Sequence, residues 1–142
     1  LFPGVDETLR ELQRRGYTLA VISGSLDLVV ERFLDASLFR HQLINSFIFD
    51  ADGRLIDGVP TAYDMAGKAD GLREIARREG LAPEACAFVG DNKNDLDVMR
   101  AAGFAIGVHV KHPLVHEVVD VVVEDPDLRA ILPFFPGLLE QP

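Results

Sequence analysis

The sequence predicts an α/β domain of three layers, a mostly parallel sheet with helices on both faces. Two patterns point there. Short apolar runs of strand length alternate along the chain with segments of helical periodicity. Those runs are nearly continuous in apolar residues rather than alternating, as in strands buried on both faces. A third observation fixes where to look for chemistry. In open sheets of this kind ligands gather at the carboxyl ends of strands, and the polar clusters here fall just after strand-like runs.

The elements follow in order. Pro3-Gly4 precedes a helical stripe of Val5, Leu9 and Leu12 that ends near Gly16. Tyr17 to Ile22 reads as a buried strand. Ser23-Gly24-Ser25 reads as a tight connection into a helix with Leu26, Val29, Val30, Phe33 and Leu34 on one face. Leu43 to Phe49 is strand-like, Asp52-Gly53 is a hairpin turn, and Arg54 to Ile56 returns. Gly67-Lys68 opens a helix with Leu72, Ile75 and Ala76 inward and Gly80 at its end. Ala85 to Val89 is a short strand, Gly90 to Asn94 a loop, and Asp95 to Ala102 a short helix. Phe104 to Val108 and Val118 to Val123 are read as strands, and Asp127 to Leu132 as a last helix. Pro133 to Pro142 is read as an apolar tail packed on an edge. All 142 residues form one domain, with no repeat and no linker.

Composition narrows the partners. The chain is 48% hydrophobic and 26% charged, enough apolar material for a core without staples. Its formal charge of −9 argues against nucleic acid or an anionic membrane, both of which require a basic face. No apolar run is long enough to span a bilayer. A lone cysteine, Cys86, excludes an internal disulfide and fits a reducing cytoplasm, with the thiol expected to be buried. The chain opens at Leu1, as a fragment or processed product would.

Three clusters carry candidate chemistry. Ser23 and Gly24 place a hydroxyl and a free amide after a strand, suited to a phosphate oxygen; plain helix capping is the alternative. Lys68 sits at a helix start, where the helix dipole disfavours a cation. A bound phosphoryl group or a neighbouring carboxylate would offset that, and a solvated surface lysine is the alternative. Val89-Gly90-Asp91-Asn92-Lys93-Asn94-Asp95 puts two carboxylates and an amide at a strand end. Such oxygens suit a hard cation such as Mg²⁺, and capping of the next helix is again the alternative. His112 and His116 share helical spacing without a third ligand, and read as surface or packing residues.

In this order the strings Tyr17-Thr18-Leu19-Ala20-Val21-Ile22-Ser23-Gly24, Gly67-Lys68-Ala69 and Gly90-Asp91-x-x-Asn94-Asp95-Leu96 resemble motifs two, three and four of the haloacid dehalogenase (HAD) phosphatases. The branch most similar is the phosphoserine-phosphatase-like one, and the likeness runs from about Pro3 to about Ile131. The resemblance implies a Rossmann-like core and Mg²⁺-dependent hydrolysis of a small phosphorylated metabolite through an aspartyl phosphate. It implies that Ser23, the Gly24 amide, Lys68 and Asn94 bind phosphate. It further implies that Lys68 and Asp95 serve catalysis and that Asp91 is a metal ligand.

The nucleophile of motif one is missing. Upstream of Ser23 the acids Asp6, Glu7 and Glu11 lie on a helix and follow no strand. Phe47-Ile48-Phe49-Asp50-Ala51-Asp52-Gly53 imitates the motif, but it lies between motifs two and three, where this branch carries a hairpin. Asp50 and Asp52 are therefore read as turn residues. Without motif one the sheet should have a gap between the strands of motifs two and four. The exposed edges would leave the chain unstable, pair with each other, or pair with another chain. The alternative function is a non-catalytic HAD-like module that binds phosphate, metal or a protein.

Overall fold

The structure, a computed structural model, describes residues 2–138. Its helices are α1 (Val5–Arg14), α2 (Asp27–Phe33), α3 (Lys68–Glu79), α4 (Leu96–Ala101) and α5 (Val115–Val118). Its strands are β1 (Leu19–Leu26), β2 (Phe39–Phe49), β3 (Leu55–Val59), β4 (Ala87–Gly90), β5 (Phe104–Val108) and β6 (Val121–Val123). Short 3₁₀ turns join them, including Met65–Gly67 ahead of α3 and Lys93–Asp95 ahead of α4.

The strands form two sheets. One has the order β1-β2-β3, with β1 parallel and β3 antiparallel to β2. The other, β4-β5-β6, is parallel throughout. The expected gap is present: among the described residues no strand lies between β1 and β4, and the two do not pair with each other. A groove of about 720 Å³ lies there, lined by Leu12, Leu19, Leu72, Phe88, Ile131 and Phe135 among others. Both long edges of the groove are strand backbones with ladder partners on one side only, and backbone N–H and C=O groups in that position call for a partner.

The main core is built on the second sheet. Ile106, Val108 and Val123 pack with Leu12, Ile131 and Phe135 on one face. Leu96, Met99, Ala105 and Val115 pack on the other. Ala69, Leu72 and Val98 form a third cluster, against which Ile22 and Phe88 lean from either side of the groove.

Several expected boundaries moved, each through a tertiary contact. β1 continues through Ser23-Gly24-Ser25, and α2 starts only at Asp27. Between Ile22 and Leu26 the register with β2 slips, so the triplet is a bulge and not a helix start. β2 begins at Phe39, since pairing with β1 draws His41 and Gln42 into the ladder despite their polarity, with Arg40 bulged out at a register shift. Pro83–Ala85 is a 3₁₀ turn, which shortens β4. The run expected as the strand Val118 to Val123 begins inside α5 and joins the sheet only at Val121. Asp120 sets that boundary, because its N–H donates to the Ala105 carbonyl and its carboxylate accepts the Ala105 N–H. The last helix is a 3₁₀ segment, Leu128–Phe134, with Pro133 inside. This segment and the residues after it dock on the turn that ends α1: Arg15 donates to the Leu132 and Phe135 carbonyls, and Tyr17 to that of Pro136. The rest of the expected tail, 139–142, lies outside the described residues. No described helix is long and apolar enough to cross a membrane.

Candidate active site

Two of the sequence clusters meet at the rim where the carboxyl end of β4 faces the first turn of α3, and the third lies on β1, whose Ile22 packs against the same helix. At the centre of the rim the Lys68 ammonium lies 2.7 Å from Asp95 Oδ1, and both side chains are buried. The neighbouring carboxylate, rather than solvent, therefore answers the cation at the helix start, and the solvated-lysine alternative falls. Asp95 has a second task. Its Oδ2 accepts the N–H groups of Asp91 at 3.0 Å and Asn92 at 3.2 Å. With Asn92 it closes a capping box over the Lys93–Asp95 turn. Capping and the salt bridge to Lys68 thus coexist in one residue, whose two oxygens are both committed.

Gly90 makes this packing possible. A Cβ there would lie 2.6 Å from Asp95 Oδ2. The carboxylate folds back against the strand end, which only a glycine leaves open.

Asp91 follows directly on β4 and is half-buried. Its carboxylate is 2.5 Å from the Lys111 ammonium, and its backbone carbonyl accepts the Lys111 N–H at 2.7 Å. The hydrogen bond to Asp91, reinforced by its charge, raises the Lys111 pKa above the ordinary lysine value. Asn94 is half-buried in the turn one residue before Asp95.

Ser23 and Gly24 lie in the β1 bulge. Ser23 Oγ accepts the Ser25 N–H at 3.1 Å, and the Gly24 carbonyl accepts from the Asn45 amide at 2.9 Å. Ile22 packs beside Ala69 and Leu72, which sets the bulge next to α3. The expected role of Gly24 as the opening of a helix is corrected: its amide belongs to an irregular strand end. The Asp64 carboxylate rests against Gly24, where a side chain would clash with it.

Asp64 and Lys111 were not singled out from sequence. Lys111 carried a usable signal, since it falls just past a strand's carboxyl end. Asp64 lay hidden in a loop whose course depends on β2 and β3.

Asp50 and Asp52 are turn formers. Asp50 Oδ1 accepts the N–H groups of Asp52 and Arg54, both at 2.9 Å, and Gly53 takes the left-handed conformation at φ 79°. His41 pairs with Glu79 at 2.7 Å, and His112 Nδ1 accepts the Leu114 N–H. Cys86 is half-buried on the groove wall, not in a strand, and burial raises its thiol pKa.

The charges on the rim nearly cancel. Lys68 with Asp95 and Lys111 with Asp91 sum to zero, and Asp64 adds one negative charge. A phosphate dianion arriving here meets no net attraction from these side chains, in a chain of formal charge −9. Asp91 fits a Mg²⁺ site as one carboxylate, since that ion characteristically takes one or two protein carboxylates and completes its shell with water and phosphate oxygens. Among the described residues no three acidic, histidine or cysteine side chains cluster as a closed metal cage.

The strings that carry Ser23, Lys68 and Asp91 lie within the part of the chain that matches the haloacid dehalogenase-like hydrolases. Residues 1–103 match that family, and the chain belongs to it. Within it the similar proteins include phosphoserine phosphatases and, at 30% identity, a phosphoglycolate phosphatase of Pseudomonas putida, 46% of which the match covers. The chain is 34% identical over 132 residues to the phosphoserine phosphatase of Methanocaldococcus jannaschii, a match covering 92% of this chain and 62% of that protein. A solved substrate-bound phosphoserine phosphatase complex superposes with a TM-score of 0.79 at 34% identity, covering 94% of this chain and 63% of the other. A phospho-aspartyl intermediate analogue of phosphoserine phosphatase gives 0.78 at 34% identity, covering 94% and 64%. The chain thus spans less than two thirds of the length of these relatives.

Proposed function

We propose that this chain is the larger part of a Mg²⁺-dependent phosphomonoesterase that works through an aspartyl phosphate. The observation that carries the reading is the buried Lys68–Asp95 pair at the head of α3, set beside Asp91 at the end of β4. The solved phospho-aspartyl analogue supports it through a relative of the same fold.

In this reading the Lys68 ammonium neutralises charge on the phosphoryl oxygens as the transition state forms, held there by Asp95. Ser23 Oγ and the Gly24 N–H donate to phosphoryl oxygens, and the Asn94 amide orients an oxygen or a water. Asp91 holds the cation. Bound Mg²⁺ supplies the positive charge that the rim itself lacks. The nucleophilic carboxylate comes from a strand that fills the groove between β1 and β4. Its oxygen bonds to phosphorus as the ester P–O bond breaks, the leaving alcohol taking a proton from a second aspartate of that segment. That second carboxylate then takes a proton from water, which cleaves the acyl phosphate to free the nucleophile and inorganic phosphate. The substrate is a small phosphorylated metabolite and the setting a reducing cytoplasm.

The test is hydrolysis of p-nitrophenyl phosphate with and without Mg²⁺. The 142-residue chain is expected to be inactive. A form extended upstream by an apolar strand ending in aspartate is expected to be active, and to lose at least about 100-fold in kcat on Asp91→Ala, as loss of transition-state charge stabilisation does. Activity that survives Asp91→Ala sinks the reading.

The second reading, a non-catalytic phosphate-, metal- or protein-binding module, is favoured by one observation. The sheet is interrupted where the nucleophile belongs, leaving edges that also suit self-association. It predicts that the extended form binds phosphate and stays inactive.

A further inference from the structure

The segment between β5 and α5 is folded back over Asp91. His109, the residue after β5, sits in the left-handed region at φ 44°, a conformation that costs a non-glycine residue energy. Its ring stacks on Phe2, with centroids 4.1 Å apart and planes at 12°. The turn made there returns the chain, so that Lys111 meets Asp91 twice. The backbone N–H donates to the Asp91 carbonyl at 2.7 Å, and the ammonium lies 2.5 Å from the carboxylate. A chance surface ion pair has one point of contact and no backbone tether. Lys111 has both, built by a strained residue, and it is aimed at the one strand-end carboxylate that the Lys68–Asp95 network leaves unpaired.

We propose that the Lys111 ammonium is an internal placeholder for the divalent cation at Asp91. It neutralises the carboxylate while no metal is bound, and it must swing aside when the metal arrives. The exposed ammonium can do so freely, because its side chain is 62% accessible while the backbone tether stays in place. Lys111 therefore weakens metal affinity, in contrast to a residue that merely shapes the loop. This inference rests on the reading of Asp91 as a cation ligand.

The experiment is calorimetric titration of Mn²⁺ into the native chain and into Lys111→Met, Lys111→Arg, Asp91→Asn and the double variant Asp91→Asn/Lys111→Met, at low ionic strength. Circular dichroism melts serve to check that each is folded. Lys111→Met is expected to bind Mn²⁺ about 2- to 5-fold more tightly, the range set by an exposed ion pair. Lys111→Arg is expected to restore native affinity. The gain is expected to vanish in the Asp91→Asn background and to shrink as salt screens the pair. Unchanged or weaker binding by folded Lys111→Met overturns the placeholder while leaving Asp91 a ligand. Binding that is indifferent to Asp91→Asn, or absent from every chain, overturns the reading of Asp91 itself and the placeholder with it.

Discussion

β5 and β4 are neighbours in one sheet and alike in sequence, yet they occupy different environments. β5 has a partner on each edge, and Ala105 to Val108 are all buried. β4 has a partner on one edge, Ala87 is exposed, and Phe88 to Gly90 are half-buried. β1, across the groove, has no buried residue in its whole length. An apolar run thus becomes core only when its flanks are covered. The difference marks β1 and β4 as the two walls of the groove, each with one edge that has no ladder partner among the described residues. The buried Lys68–Asp95 network sits at the edge of this open region and is as tightly satisfied as the core around β5.

The largest effect is expected at that network. Asp95→Ala leaves the buried Lys68 charge unpaired and opens the capping box, and should cost about 3–5 kcal/mol in urea unfolding. A cost under about 1 kcal/mol, the range of an exposed pair, would show that the site is as open as the groove.

Next comes a direct test of the two regions. Ile106→Ala removes a side chain with no exposed surface and should cost about 2–5 kcal/mol. Val21→Ala in β1 trims a half-buried side chain on the groove and should cost about 1 kcal/mol or less. Equal costs would break the comparison and mean that the groove is filled in solution.

Cys86 sharpens the same point through chemistry. Its thiol pKa is raised by burial, so alkylation by iodoacetamide at neutral pH should be slow and should quicken as pH rises. An upstream segment that fills the groove should slow it further at every pH. An unchanged rate in the extended form would place that segment elsewhere.

The smallest effect lies at the outer surface of α3. Arg77 and Arg78 hydrogen-bond Glu74 and lower its pKa to about 2 from an ordinary 4.5. A depressed folded-state pKa contributes stability above the unfolded value, and that contribution fades as pH falls from about 4.5 towards 2. Glu74→Gln should slightly flatten the acid limb of the stability–pH curve, with little change at neutral pH because the cluster is solvent-exposed.

Much of the site was legible before any coordinates. Lys68 at a helix start demanded an anion, and Asp95 supplies it. Gly90-Asp91 at a strand end demanded a role for the acid, and Asp52-Gly53 demanded a turn. The errors share one cause. Ser23-Gly24-Ser25 reads as a helix entrance by its capping residues, but pairing with β2 keeps it extended and bulged. His41 and Gln42 lie ahead of the expected strand Leu43 to Phe49, yet their backbones are held in the ladder. Lys111 and Asp64 reach the site only because the chain folds back from distant elements.

The sequence alone determined the alternation of strands and helices over most of the chain, the strings that resemble the family motifs and the hairpin turn at Asp52-Gly53. These depend on local pattern and residue chemistry, which a linear reading preserves. Tertiary structure decided that β1 and β4 stand apart with a groove between them, that both oxygens of Asp95 are committed, and that Lys111 closes on Asp91. Each of those rests on contacts between residues far apart in the chain, whose geometry is set by how the sheets and helices pack.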